Sequence, residues 1–183
     1  MKKNNFIKQA LVALTFAVAV AVMIPAAGSV EAQAARKATA QKNWKKAPAV
    51  KTGTTTVTSK KAKTSTAKWV KFKAPKKGTY KFTVSNFKPS DEINCGSFTF
   101  YTDPAKYDTL KNLKTQGGRT SNFHIASKKF MQYYKPGKTA KKDRYRSSRT
   151  VTINMKKGQT VYMRLYYTTA TKYTYSLNIK KTK

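Results

Sequence analysis

Carboxylates are nearly absent from this sequence. Only 6 Asp+Glu stand against 39 Lys+Arg in 183 residues, a formal net charge of +33. A calcium cage needs several clustered oxygens, and Asp91 with Glu92 supplies only a pair. The paired carboxylates of a glycosidase fare no better, because a strongly basic surrounding keeps both ionised and removes the general acid. Histidine is as scarce: His124 is the single one, and its spacing from Ser121 and Asp143 suggests no nucleophile, base and acid brought together. One cysteine, Cys95, allows neither an intrachain disulfide nor a thiolate zinc set, and it reads as a small buried or half-buried residue. No phosphate-cradling or dinucleotide-binding glycine loop is present. These shortages lead to the expectation of a protein that is not an enzyme, with no catalytic residues, no metal and no cofactor.

The first segment has a different composition. Lys2, Lys3 and Lys8 precede an uncharged run from Ala10 to Ala27, and Ala32-Gln33-Ala34 places small residues where a signal peptidase reads. Residues 1–34 therefore read as a secretory signal peptide cleaved after Ala32 or Ala34, leaving no transmembrane span. Cleavage after Ala34 removes three lysines and one glutamate, so the mature formal charge is +31. That exceeds what solubility asks of a small domain and points to anionic partners. Outside a cell these are teichoic acids, acidic polysaccharides and extracellular DNA. The lysine-rich leader and the absence of disulfides suit a Gram-positive secreted protein.

No segment sustains a helical period. Residues 35–53 are rich in Ala, Lys and Thr without periodicity and read as a flexible basic tail, with Trp44 tucked onto the domain. From residue 54 to 183 the pattern is that of strands. Val70 and Phe72 alternate with Trp69, Lys71 and Lys73; after Lys76-Lys77-Gly78, Tyr80, Phe82 and Val84 alternate with Lys81 and Thr83. The design returns around Lys156-Lys157-Gly158, with Val151, Ile153 and Met155 before it and Val161, Met163 and Leu165 after it. The first pair reads as a hairpin or a corner between sheets, and the two units together as two hairpins of one sandwich. Tyr173, Tyr175, Leu177 and Ile179 mark a last strand. Asp103-Pro104 offers a cap for a short helical turn, while residues 122–127 and 128–134 read as strands. The fold class is all-β: an antiparallel, jelly-roll-like β-sandwich with at most one short helical turn.

Four stretches carry a family resemblance: Trp69-Val70-Lys71-Phe72, Gly78-Thr79-Tyr80-Lys81-Phe82, Lys157-Gly158-Gln159-Thr160-Val161-Tyr162 and Tyr173-Thr174-Tyr175-Ser176-Leu177. In these the chain resembles the bacterial pre-peptidase C-terminal domain and related secreted β-sandwiches. The family's acidic middle segment has no counterpart here. The resemblance implies a compact sandwich that accompanies secreted enzymes as an accessory or binding module.

The alternation sends Trp69, Lys71, Lys73, Lys81, Tyr162, Arg164 and Tyr166 outward. Two readings follow. In the first, an adhesion module binds polyanions through Lys71, Lys73, Lys76, Lys77, Lys81, Lys141, Lys142, Arg144, Arg146, Arg149, Lys156, Lys157 and Arg164, most plausibly at the cell envelope. In the second, a carbohydrate-binding module stacks sugar rings on Trp69, Tyr162 and Tyr166. If the two Lys-Lys-Gly turns share one end of the sandwich, they form a cationic rim.

Overall fold

Phe72 and Phe82 lie on either side of the first Lys-Lys-Gly, and their rings meet at 5.5 Å, close to perpendicular. They belong to opposite sheets. Strand β4 (Lys68–Lys73) pairs with β12 (Thr160–Tyr166), whereas β5 (Gly78–Pro89) pairs with β11 (Ser148–Met155). The Lys-Lys-Gly turns are thus corners that cross between sheets, not hairpins within one. Alternation fixes which side chains point inward, but it does not name a strand's partner, and that is why the hairpin reading fails.

The computed structural model describes residues 36–61, 67–91, 93–115, 118–134, 145–166 and 172–183. The remaining strands are β1 (Arg36–Thr39), β2 (Ala49–Val50), β3 (Gly53–Thr58), β6 (Cys95–Asp103), β7 (Asp108–Thr109), β8 (Leu113–Thr115), β9 (Gly118–Thr120), β10 (Asn122–Ala126) and β13 (Tyr173–Lys181). One sheet runs β1-β3-β13-β5-β11-β8-β9; the other runs β10-β6-β12-β4-β2, with β7 beside β6. Eight of these strands make an antiparallel frame. Numbered one to eight along the chain (β3, β4, β5, β6, β10, β11, β12, β13), they lie 1-8-3-6 in the first sheet and 5-4-7-2 in the second. That order is a jelly roll, as expected.

Inward residues fill the space between the sheets. Phe82 contacts Phe100 at 5.6 Å and Phe98 contacts Tyr175 at 5.2 Å, so rings from both sheets interdigitate at the centre. Val57, Val70, Val84, Ile125, Val151, Met163, Leu165 and Leu177 are buried around them. Each such side chain contributes about 1.5–3 kcal/mol on leaving water, which is how the chain folds without a disulfide.

Three expectations are corrected. Residues 36–50 are not a flexible tail: β1 adds to the edge of β3 and β2 to the edge of β4, both in parallel. Two such edges would otherwise stand open. At Asp103 the carboxylate accepts from the Ala105 and Lys106 amides as a cap would, but the chain makes only a turn and passes into β7. Among the described residues the single α-helix, α1 (Lys128–Tyr133), stands where a strand was expected, capped by the Ser127 hydroxyl accepting from the Phe130 amide at 3.0 Å. A further turn of 3-10 helix covers Trp44–Lys46. Among the described residues no helix is long and apolar enough to cross a membrane. The proposed signal peptide lies outside the described residues.

A lysine-rich end and a covered aromatic face

The two Lys-Lys-Gly corners touch. The Ala74 amide donates to the Gln159 carbonyl at 2.9 Å, and the Gly158 amide donates to the Ala74 carbonyl at 2.8 Å. Exposed Lys73, Lys76 and Lys77 of one corner therefore stand beside exposed Lys156 and Lys157 of the other. The end of β13 arrives at the same place. The Thr79 amide donates to the Lys183 carbonyl at 3.0 Å, and Lys181 lies opposite Tyr80, which brings in Lys180, Lys181 and Lys183. Lys51 joins them where the chain crosses from β2 to β3, since Val50 lies opposite Phe72. On the edge, Arg36 Nη1 donates to the Thr52 carbonyl at 2.9 Å. Lys51, Lys180, Lys181 and Lys183 were not among the expected site residues. Their place depends on how β2 and β13 end, which no local pattern reveals.

The acids nearest this end are engaged locally. Asp103 accepts from the amides of its own turn, and Asp108 accepts from the Thr102 hydroxyl. Between neighbouring lysines, repulsion in water is about 1 kcal/mol per close pair and is screened over roughly 10 Å. A polyanion laid across this end relieves that repulsion and releases its own counterions.

The rest of the outer surface is not uniformly basic. Lys71 and Lys81 both point outward as expected, but they lie on opposite outer faces, because β4 and β5 belong to different sheets. Around Lys81, opposite Lys180, the middle of its face consists of hydroxyls and amides. Thr83 and Thr150 Oγ1 atoms lie 2.9 Å apart, Asn178 donates to Thr54 at 2.7 Å, and Thr79 donates to Asn154 at 2.7 Å. These cross-strand pairs stabilise the sheet and carry no charge.

The other outer face carries the aromatics. Trp69 is only 8% exposed, packed 5.0 Å from Tyr101, beneath the segment that contains Gln41, Trp44 and Ala47. The Trp69 amide donates to the Gln41 carbonyl at 2.8 Å, and Trp44 meets Tyr162 edge-on at 5.6 Å. Trp44 is thus tucked onto the domain as expected, and its segment removes Trp69 from any stacking surface. Tyr162 is half-buried; Tyr166 is 41% exposed. Arg164, expected as a polyanion contact, lies over both rings, its guanidinium carbon 5.2 Å from the Tyr101 centroid and 6.0 Å from that of Trp69. Its Nε is buried without a hydrogen-bond partner among the described residues.

Two further expected cations are elsewhere. Arg149 is 4% exposed and faces inward opposite Val84, so it is no surface contact; its parity matches Val151 and Ile153. Arg146 is half-buried, with its backbone carbonyl accepting from the Ala126 amide at 2.9 Å. Lys141, Lys142 and Arg144 lie outside the described residues. Cys95 is half-buried, as expected. Among the described residues, no three His, Cys, Asp or Glu side chains come together as a metal set.

No family model matches the chain, and no curated protein matches it. Among solved structures, a similar chain is CorA of Methylomicrobium album BG8, described as a surface-associated copper-binding protein important in copper acquisition. The TM-score is 0.40 at 9% identity, covering 79% of this chain and 100% of that one. At that level the likeness bears on neither ligand nor function.

Proposed function

We propose that this protein is a secreted, non-enzymatic adhesion module whose lysine-rich end holds an anionic polymer of the cell envelope, wall teichoic acid of a Gram-positive producer. The observation that carries the reading is the pair of backbone hydrogen bonds joining the two Lys-Lys-Gly corners, which sets Lys73, Lys76 and Lys77 beside Lys156 and Lys157 at one end. Lysine outweighs arginine there, so attraction is diffuse and tolerant of a flexible partner. The jelly-roll strand order supports kinship with the pre-peptidase C-terminal-like sandwiches as part of the same proposal. The covered Trp69 counts against a stacking role for the aromatic face.

The test is cosedimentation of residues 35–183 with wall sacculi, native or stripped of teichoic acid, at low and high salt. Binding to native walls alone, lost as salt rises, is expected. The variant Lys76→Glu/Lys77→Glu/Lys156→Glu/Lys157→Glu should abolish it while the fold remains. Salt-resistant binding to stripped walls would instead support glycan recognition through Tyr162 and Tyr166. Equal competition by free DNA or by acidic polysaccharide would move the assignment to those polymers.

A further inference from the structure

Strand β5 outruns its neighbour. Its ladder with β11 ends at Ser85 opposite Ser148, while Lys88 and Pro89 continue beside β13, opposite Thr174 and Tyr173. Asn86 marks the break. It holds a left-handed φ of 53°, and the β13 register shifts between Thr174 and Ser176. A bulge of this kind re-aims a strand and ends its pairing on one side. Across the gap, Ala126 and Ser127 are fixed by the Arg146 and Asn94 carbonyls, which accept their amides at 2.9 Å each, and α1 begins there. The result is a groove of about 350 Å³ between the end of β5, the start of β11 and the base of α1.

We propose that this groove binds a small amphipathic anion, a single alkyl chain ending in phosphate or carboxylate. Phe87, Pro89 and Ala126 line it with apolar surface, and Lys88 and Lys128, both exposed, are cationic residues of its lining. Among the described residues lining it, none is acidic. Its volume falls within the range of small-molecule sites, which combine an apolar lining with a few polar groups that fix orientation. The lining lies around the far end of β5 from Gly78, so the site stands independently of the wall-binding proposal.

The test is calorimetric titration of residues 35–183 with decyl phosphate below its micelle concentration, against inorganic phosphate and decanol as half-ligands. Decyl phosphate should bind about tenfold or more tightly than either half alone, a difference of about 1.4 kcal/mol. Ser148→Trp, which fills the mouth, should weaken decyl phosphate about tenfold. Lys88→Glu/Lys128→Glu, two exposed positions that leave the core intact, should do likewise and spare decanol. Decyl phosphate binding no tighter than inorganic phosphate, or indifferent to both groove variants, would overturn the proposal and show only diffuse attraction to a basic chain. The four-glutamate variant of the corners separates the two proposals: it should lose wall binding and keep decyl phosphate binding.

Discussion

Gly158 donates its amide to the Ala74 carbonyl at 2.8 Å from a left-handed backbone, φ 78°, and this is one of the two backbone hydrogen bonds that tie the second lysine corner to the first. An L-residue in that conformation costs about 1–2 kcal/mol. Gly158→Ala should lower stability by that amount in urea denaturation. Gly78→Ala should cost more, about 1–3 kcal/mol from overpacking, because the added methyl collides with the Lys183 carbonyl and the Lys181 side chain. Both variants should weaken wall binding less than the four-glutamate variant does, since they keep every charge.

Trp69 and Arg164 separate a structural role from a ligand role. Trp69 is buried between Tyr101 and the covering segment, so Trp69→Ala should cost about 3–5 kcal/mol while walls are still bound. Arg164→Met forfeits a cation–π contact of about 0.5–2 kcal/mol but also removes a buried Nε that has no hydrogen-bond partner among the described residues. Its stability should stay within about 1 kcal/mol of the parent. Urea midpoints and wall cosedimentation on the same samples check both. Loss of wall binding by folded Trp69→Ala would return the function to the aromatic face.

The pattern of successes and misses has a physical cause. Strands β5, β11, β12 and β13 were legible because they write inside and outside in period two, and Tyr80-Phe82-Val84 and Val151-Ile153-Met155 do so without interruption. The inward place of Arg149 was legible in the same parity, although its charge suggested the surface. Strands β1 and β2 were not, because runs of four and two residues have no period; pairing to an open edge makes them strands. Helix α1 spans only six residues, too few to establish a helical period, which leaves Ser127 as its clearest local cue. The lysine-rich end was half legible. The two Lys-Lys-Gly units announce themselves, but their contact is a property of the jelly-roll order.

Stability should respond to alkali in two opposed ways. Burial pushes the Tyr173 and Tyr175 hydroxyls above the ordinary value of 10.0, and at Tyr173 the neighbouring Tyr175 adds to the rise. A raised folded pKa gives stability that is complete below pH 10 and is lost above it, as the unfolded chain releases those protons first. Lys68 is the reverse case. It is 6% exposed beside Leu165, and desolvation, then the charge of Lys42, lowers its pKa below 10.5. Its cost is present at neutral pH and fades as pH rises toward 10.5. Lys68→Met should therefore raise the urea midpoint at pH 7, with the gain shrinking at pH 10. Tyr175→Phe should flatten the fall in midpoint above pH 10.

Removing residues 35–50 tests whether that segment is part of the fold or an attached tail. The segment covers the β3 edge with β1, the β4 edge with β2 and the Trp69 ring with Trp44–Ala47. A chain beginning at Lys51 should expose both edges and that ring. Exposed edges pair with other chains, so light scattering should show association even at this net charge. Tryptophan fluorescence, then reporting Trp69 alone, should shift to the red as water reaches the ring. The lysines at the two corners remain in place, so wall binding per folded molecule should persist at nearly its original strength. A truncated chain that stays monomeric, with its remaining tryptophan buried, would mean that the edges are protected by something other than this segment.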